Sequence, residues 1–236
     1  MTKKNNPTMK IAAVLVALVL ITSCFVGSTF AKYVTNGDLT GSARVAKFGV
    51  NVTSNGSMFA KEYDTDTQNI VATIAKSVVS TDKVVAPGTK GDAVSTTLSG
   101  TPEVAVKVDY DATGDIVLND NWKKADGSFY CPLTFKISTY DDGLDETVNE
   151  VYSGKDYNSK EAYVAAIESA IKKYSRTYPA GTDLSTVAKH SLAVSWEWPF
   201  STDENDANDT YLGDQAAEGK AATVSIQVTT TVTQID

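Results

Sequence analysis

The chain has 236 residues, a formal net charge of −8, one histidine and two cysteines. A negative balance of this size repels phosphate backbones, so we exclude nucleic acid as a partner. A single histidine cannot build the usual zinc site of a hydrolase, and two cysteines cannot form a disulfide framework. The composition favours a protein whose stability comes from its hydrophobic core.

Residues 1–31 have the layout of a secretory signal peptide. Three lysines precede an apolar run from Ile11 to Val26, and small residues follow it. The run is shorter than the ~20 residues of a typical membrane-spanning helix. We therefore predict cleavage between Ala31 and Lys32, which would release a secreted protein that begins at Lys32.

Two other outcomes for this leader stay open. Ile21-Thr22-Ser23 precedes Cys24 in a pattern typical of lipid attachment, which would leave an acylated Cys24 as the first residue. Without any cleavage, the apolar run between Lys10 and Lys32 would anchor the protein in a thin bilayer. The alternative location is thus the membrane, with the N-terminal segment as the anchor.

The segment from Lys32 to Ser42, which we call the arm, is polar and contains two glycines. It has little to bury for itself, so we expect it to be mobile in an isolated subunit. Its apolar side chains, Tyr33, Val34 and Leu39, then have no partners of their own.

Residues 43–236 show the period-two alternation of β-strands. The first predicted strand runs from Ala43 to Val52, and the two segments on either side of Gly100 are expected to pair. Turns are predicted at Pro87-Gly88 and Asp126-Gly127. The other predicted strands are Met58 to Tyr63, Ile70 to Val79 (which would also suit a helix), Ala93 to Leu98, Glu103 to Tyr110, Ile116 to Leu118, Phe129 to Ser138, Ser191 to Phe200 and Ala222 to Ile235, the longest.

Asp141 to Lys189 has a different character. It begins with an acidic stretch, and Asn158 followed by Glu161 then forms a capping-box pattern at the start of a helix. One stripe of this helix is apolar. Its members are Tyr163, Ile167, Ala170, Ile171 and Tyr174. We interpret Asp141 to Lys189 as a helical insertion between strands.

About nine strands, regular turn signals and a single helical insertion predict an all-β fold. The architecture that fits best is an antiparallel two-sheet sandwich, jelly-roll-like in topology, over residues 43–236.

The strand near residue 195 carries Trp196 and Trp198 on its inner face. Core tryptophans are the favoured interpretation, and a platform that stacks on a glycan is the alternative. Cys131 lies within an apolar segment, which favours a small buried side chain over a reactive thiol.

Ser201 to Gln215 is rich in carboxylates and is predicted to be a loop. Side-chain oxygens of this kind suit calcium, although the glycine that an EF-hand requires is missing. A solvated turn is the favoured interpretation, and calcium is the one cofactor that the sequence suggests. The candidate ligands are Asp203, Asn205, Asp206, Asn208 and Asp209.

The residues needed for catalysis do not form a recognisable set. His190 is the sole histidine, and the nucleophile elbow of α/β-hydrolases does not occur. The neighbouring carboxylates of Asp141 and Asp142 are typical of a charged turn. We predict that the protein is not an enzyme.

Several short motifs occur in an order that resembles the TasA/camelysin family of secreted bacterial matrix proteins, whose leaders are cut by a SipW-type signal peptidase. The motifs are Ser28-Thr29-Phe30-Ala31-Lys32-Tyr33, the strand from Ala43 to Val52, Ala86-Pro87-Gly88-Thr89-Lys90, Trp196-Glu197-Trp198-Pro199-Phe200, Asp209-Thr210-Tyr211-Leu212-Gly213 and Val232-Thr233-Gln234-Ile235-Asp236.

This resemblance implies a jelly-roll subunit of biofilm matrix fibres, in which the freed arm of one copy is inserted as a strand into the next. Its partners would be copies of itself, the signal peptidase and other matrix proteins. One branch of the family is described as a metalloprotease, but the residues for that activity are absent here. The alternative function is a cell-surface module that binds a glycan or calcium.

Overall fold

Antiparallel β-sheets dominate this computed structural model, which describes residues 44–64, 73–141, 146–187, 191–200 and 206–235. Residues 48–236 form one compact unit, and residues 44–47 belong to a separate one. The strands are β1 (Asn51–Asn55), β2 (Glu62–Asp64), β3 (Thr73–Lys76), β4 (Lys90–Ser99), β5 (Val106–Asp111), β6 (Ile116–Leu118), β7 (Thr134–Asp141), β8 (Glu146–Ser153), β9 (Arg176–Tyr178), β10 (Ala193–Glu197), β11 (Val224–Ile226) and β12 (Thr229–Gln234). The helices are α1 (Lys160–Lys172) and α2 (Asp206–Ala217), and Gly154–Asp156 forms a 3-10 turn. The all-β class is thereby confirmed.

The largest sheet has five strands in the order β1-β4-β10-β7-β8. A three-stranded sheet has the order β12-β5-β9, and β11-β6 and β2-β3 are two-stranded. Every pairing is antiparallel.

The three-stranded sheet contacts the five-stranded sheet. Three contacts link the two: Thr230 Oγ1 to Thr96 Oγ1 at 3.3 Å, Tyr110 with the backbone of Leu192, and the Arg176 guanidinium with the backbone oxygen of Tyr140. Since these residues belong to or adjoin known strands, β12 contacts β4, β5 contacts the start of β10 and β9 contacts β7.

Alternation builds the core between these sheets, as predicted. In β5, Val106 and Val108 are buried, whereas Lys107 between them is half-buried. In β7, Phe135 and Ile137 are both fully buried on the same face. Burial of such side chains is the main favourable term in folding.

Helix α1 packs its predicted apolar stripe into the core, where Tyr163, Ile167 and Ile171 have no exposed surface. Its N-cap is Ser159 and not Asn158, because the Ser159 hydroxyl accepts a hydrogen bond of 3.2 Å from the Ala162 N–H. The predicted cap was therefore wrong by one residue.

The segment from Asp141 to Lys189, predicted as a helical insertion between strands, contains the helix α1 and also two strands of the sheets. Strand β8 pairs with β7 along its whole length, from Glu146 to Ser153, and β9 pairs with β5. β8 escaped prediction because it is an edge strand with one solvated face, so it needs few large apolar residues.

The expected pairing across Gly100 was also wrong, because β4 and β5 belong to different sheets. Gly100 has a φ of +106°, and a Cβ there would lie 2.0 Å from the backbone oxygen of Gly49. The chain therefore leaves one sheet for the other at a position that only glycine can occupy.

The two ends of the domain differ from prediction as well. Residues 44–50 are not in a strand, and the first strand is instead β1. The predicted strand from Ala222 to Ile235 is divided into β11 and β12, which pair with different partners. Its alternation persists across the break, with half-buried side chains at even positions from 222 to 234.

The predicted turns are confirmed. Gly88 has a φ of +82°, and the Thr89 N–H donates to the Ala86 oxygen at 3.0 Å. Gly127 has a φ of +86° next to the bridge between Lys123 and Phe129. The strands predicted at Met58 to Tyr63 and Ile70 to Val79 are β2 and β3, both shorter than expected.

Candidate functional site

Strand β1 is an edge strand, and its inner face is exposed at Val52. Val52 pairs directly with Leu98, and directly paired residues of an antiparallel ladder point to the same face. Leu98 is only 2% exposed, whereas Val52 is 42% exposed. The same face of the sheet is thus buried at β4 and open at β1.

The cause is a mismatch in the number of strands between the two layers. β12 contacts β4 and is the last strand of its sheet, so in the part of the chain that the structure describes nothing from that sheet lies across β1. At the opposite edge, α1 covers β8: the Tyr163 hydroxyl donates to the Tyr152 oxygen at 3.2 Å. We call the uncovered strip beside β12 and opposite β1 the open lane.

Backbone groups of β12 face the open lane. The Ile235 N–H donates to the Ala105 oxygen at 3.0 Å, in register with the pairing of β12 and β5. Because hydrogen-bonded pairs alternate in an antiparallel ladder, the odd-numbered residues of β12 bond to β5. The N–H and C=O groups of Thr230 and Val232 therefore point to the free edge, where a further strand would pair.

A groove of about 340 Å³ lies between the layers near the start of β12. Lys83 crosses its rim and donates a hydrogen bond of 2.9 Å to the Ser57 hydroxyl. The apolar part of its lining consists of Met58, Phe59, Val94, Leu192, Val194, Ile226 and Val228.

A second, shallower cleft of about 840 Å³ continues along β11 and shares Phe59 and Lys83 with the groove. At its mouth Val78 is fully exposed and Val79 is 49% exposed. Exposed apolar side chains therefore occur at this cleft as well as in the open lane.

The tryptophans of β10 and its extension belong to the core, as the favoured interpretation predicted. Trp196 is 2% exposed and Trp198 is 5% exposed. The Trp196 indole donates to the Met58 oxygen at 2.5 Å, and the Trp198 indole donates to Asp209 Oδ2 at 3.3 Å. Neither ring is presented to a ligand at the surface.

The acidic segment is a helix from Asp206 onwards, so the predicted loop was wrong for residues 206–215. Asp209 is buried within it, and its Oδ1 accepts a hydrogen bond of 2.7 Å from the Tyr130 hydroxyl. Burial, followed by the contact with Asp209, raises the pKa of Tyr130 far above its ordinary value. This carboxylate therefore holds α2 on the core.

The candidate calcium ligands are dispersed by this helix. Asp206 is exposed in its first turn and Asn208 is half-buried, while Asp203 and Asn205 lie outside the described residues. Among the residues that the structure describes, no cluster of three or more acidic, histidine or cysteine side chains could hold a metal. The calcium site stays a prediction.

Cys131 has no exposed surface, which confirms its interpretation as a small core residue. Burial raises the pKa of its thiol to about 12. The group is therefore protonated and inert at neutral pH.

Several predicted residues lie outside the described ranges, so their roles stay predictions. They include His190, Asp142, the lipidation candidate Cys24, the cleavage residues Ala31 and Lys32, and the arm residues Tyr33, Val34 and Leu39. Within the described ranges, no helix is long and apolar enough to cross a membrane.

The open lane was not predicted from the sequence. Its one signal was the half-apolar alternation of the last strand, which indicates partial burial without showing which edge is free. Comparison with protein families, curated proteins and solved structures found no match to this chain.

Proposed function

We propose that this protein is a secreted structural subunit of extracellular biofilm matrix fibres, which assemble by strand donation after the signal peptide is removed. In this proposal the two layers form a jelly-roll-like sandwich that lacks one strand in each isolated copy. The observation that carries it is the exposure of Val52 opposite the buried Leu98.

The arm has the length and pattern to fill such a vacancy. An extended chain rises about 3.3 Å per residue, so the arm from Lys32 to Ser42 spans more than the length of β12. Tyr33 and Leu39 differ by an even number of positions and would therefore lie on the same face of a strand.

Donation from one copy to the next produces an open chain of subunits. The donor surface and the acceptor surface differ, so each added copy presents a new acceptor and head-to-tail growth can continue into a filament. Main-chain hydrogen bonds would join the copies, as in other cases of strand addition. Other matrix proteins with a similar acceptor would be further partners.

Cleavage by a signal peptidase of the SipW type would then switch assembly on. While the leader is attached, the N-terminal end of the arm is joined to the segment that directs export. Removal of the leader gives the arm a free end, which can enter the acceptor of another copy. The alternative function, a module that binds a glycan or calcium, has no comparable support among the described residues.

The arm itself provides the first test. Exported protein that lacks Lys32–Ser42 should remain a folded monomer by size-exclusion chromatography and form no filaments under negative-stain electron microscopy. Filaments that persist without the arm would overturn the proposal. N-terminal sequencing of the exported protein should begin at Lys32, and a different first residue would overturn the cleavage switch.

A matched pair of substitutions tests the acceptor. Val52 and Val151 are both exposed valines on opposite edge strands of the same sheet, at 42% and 61%. Val52→Asp places a charge in the open lane and should abolish filaments, whereas Val151→Asp should leave them intact. Equal effects of the two changes would show that the open lane is not the site of assembly.

A further inference from the structure

We infer that the donated arm pairs with the free edge of β12, in parallel or antiparallel orientation, and lies across the inner face of β1. This inference rests on the proposed function and adds to it the acceptor strand. Among the described strands, β1 and β12 each stand last in their sheet on this side of the molecule, so each presents an edge.

Burial of side chains separates the two edges. A strand added beyond β1 would extend the five-stranded sheet sideways and would leave Val52 as exposed as it is now. A strand added beyond β12 would lie in the other layer, opposite β1, at the ~10 Å spacing of packed sheets. Only the β12 edge therefore lets the arm cover Val52 and complete both layers.

The backbone of β12 has hydrogen-bonding groups that point towards such a partner. Thr230 and Val232 direct their N–H and C=O groups away from β5, as the Ile235 to Ala105 hydrogen bond of 3.0 Å establishes for the ladder. A strand that occupies the open lane can satisfy these groups, and unpaired edge groups are the usual template for strand addition.

The pattern of the arm matches the two sides of this position. The outer face of β12 presents the exposed hydroxyl side chains of Thr229, Thr231 and Thr233. In the arm, Tyr33 and Leu39 share one face, whereas Val34, Asn36 and Asp38 share the other. The face with Tyr33 and Leu39 can point to Val52, while the other face, polar at Asn36 and Asp38, continues the solvated surface of β12, because antiparallel sheets commonly have one packed and one solvated face.

Disulfide trapping distinguishes the two edges. In a Cys24→Ser background the remaining native thiol, Cys131, is buried. One chain carries Val34→Cys, Asn36→Cys or Asp38→Cys in its arm, and a second chain carries either Thr231→Cys on β12 or Thr53→Cys on β1. Both acceptor positions are exposed and lie on the outer faces of their strands.

After mixing and oxidation, we expect at least one arm position to form a linked dimer with Thr231→Cys, because paired strands bring Cβ atoms within disulfide range. No arm position should link to Thr53→Cys. Linkage to Thr53→Cys, or filaments that depend on the arm without any link to Thr231→Cys, would overturn the inference. Linkage only within single chains that carry both cysteines would also overturn it.

Proline substitution gives an independent test on filaments. Val232→Pro removes an N–H that faces the open lane, whereas Thr231→Pro removes an N–H that bonds to β5. We expect Val232→Pro to remain folded and to reduce filament mass at least about tenfold, since main-chain pairing carries the joint. Thr231→Pro should instead lower the urea midpoint of the monomer. Unchanged filaments from folded Val232→Pro would count against the β12 edge.

The outcomes separate this inference from the function on which it rests. If the exported wild-type protein forms no filaments, or forms them without the arm, the proposed function fails. If filaments need the arm but the arm links to β1, only the choice of acceptor fails. Arm-dependent filaments with links to β12 support both.

Discussion

The hydroxyl of Tyr130 donates a hydrogen bond of 2.7 Å to the carboxylate of Asp209, and both residues are buried. The other carboxylate oxygen accepts from the Trp198 indole at 3.3 Å. One side chain thus joins α2 to two separate parts of the β-core, which explains why an acidic segment with little amphipathic pattern folds as a helix.

We predict that Asp209→Ala lowers the free energy of unfolding by about 2 kcal/mol, because two buried donors lose their acceptor. Asp214→Ala is the control, since Asp214 lies in the same helix and is exposed. It should change the free energy by less than about 0.5 kcal/mol. Urea denaturation measures both, and equal effects would show that Asp209 matters only through its charge or its place in the helix.

Substitution of two glycines by alanine should change the free energy of unfolding in opposite directions. A Cβ at Gly154 would lie 2.4 Å from the backbone oxygen of Cys131, so Gly154→Ala should lower the free energy of unfolding by about 2 kcal/mol or more. A Cβ at Gly213 in α2 would meet nothing within 4 Å. Gly213→Ala should therefore raise the free energy of unfolding by about 0.5–1 kcal/mol. Destabilisation by both would contradict the open space around Gly213.

Stability should fall at alkaline pH. Burial raises the pKa of Cys131 to about 12, and burial followed by the Glu150 contact raises that of Tyr152 to about 12. Burial raises the pKa of Tyr163 well above 10.

Because these groups have higher pKa values in the folded state, the folded state retains protons that the unfolded state releases. Their contribution is fully present below about pH 9 and is lost as the pH rises towards about 12. Each fully buried group, such as Tyr163, would add a slope of up to about 1.4 kcal/mol per pH unit in that window. Urea midpoints that stay constant from pH 8 to about 11 would contradict this.

The thiol of Cys131 should resist labelling in the native state. In a Cys24→Ser protein at neutral pH, an aromatic disulfide reagent should react only when the domain unfolds, because the thiol is buried and protonated. Full reaction in urea is the control. Rapid reaction without urea would show that the segment around Cys131 opens locally.

The sequence was informative wherever one residue type dictates the local structure. Alternation located β5 and β7, the apolar stripe located α1, and Gly88 and Gly127 fixed their turns. These patterns involve only residues close to each other in sequence, so they predict local structure without knowledge of the fold.

Pairing between distant strands could not be predicted in this way. β1 pairs with β4 and β12 pairs with β5, and no local pattern specifies such partners. Helix α2 was missed because Asn, Asp, Thr and Gly are weak helix formers, and its stability comes from the contacts of Asp209 and Leu212 with the core. The open lane is a property of both sheets together, so it became visible only in the fold.

All three tryptophans of the chain are buried, and the rings of Trp122 and Trp198 have centroids 6.0 Å apart. Trp196 lies 5.2 Å from Phe59, a residue that also lines the groove. The protein thus contains its own fluorescent reporters. Buried tryptophans give a blue-shifted emission as long as the core is intact. The quantum yield of Trp196 should change when Phe59, which lines the groove, moves. Polymer growth could be timed in solution without attaching a dye.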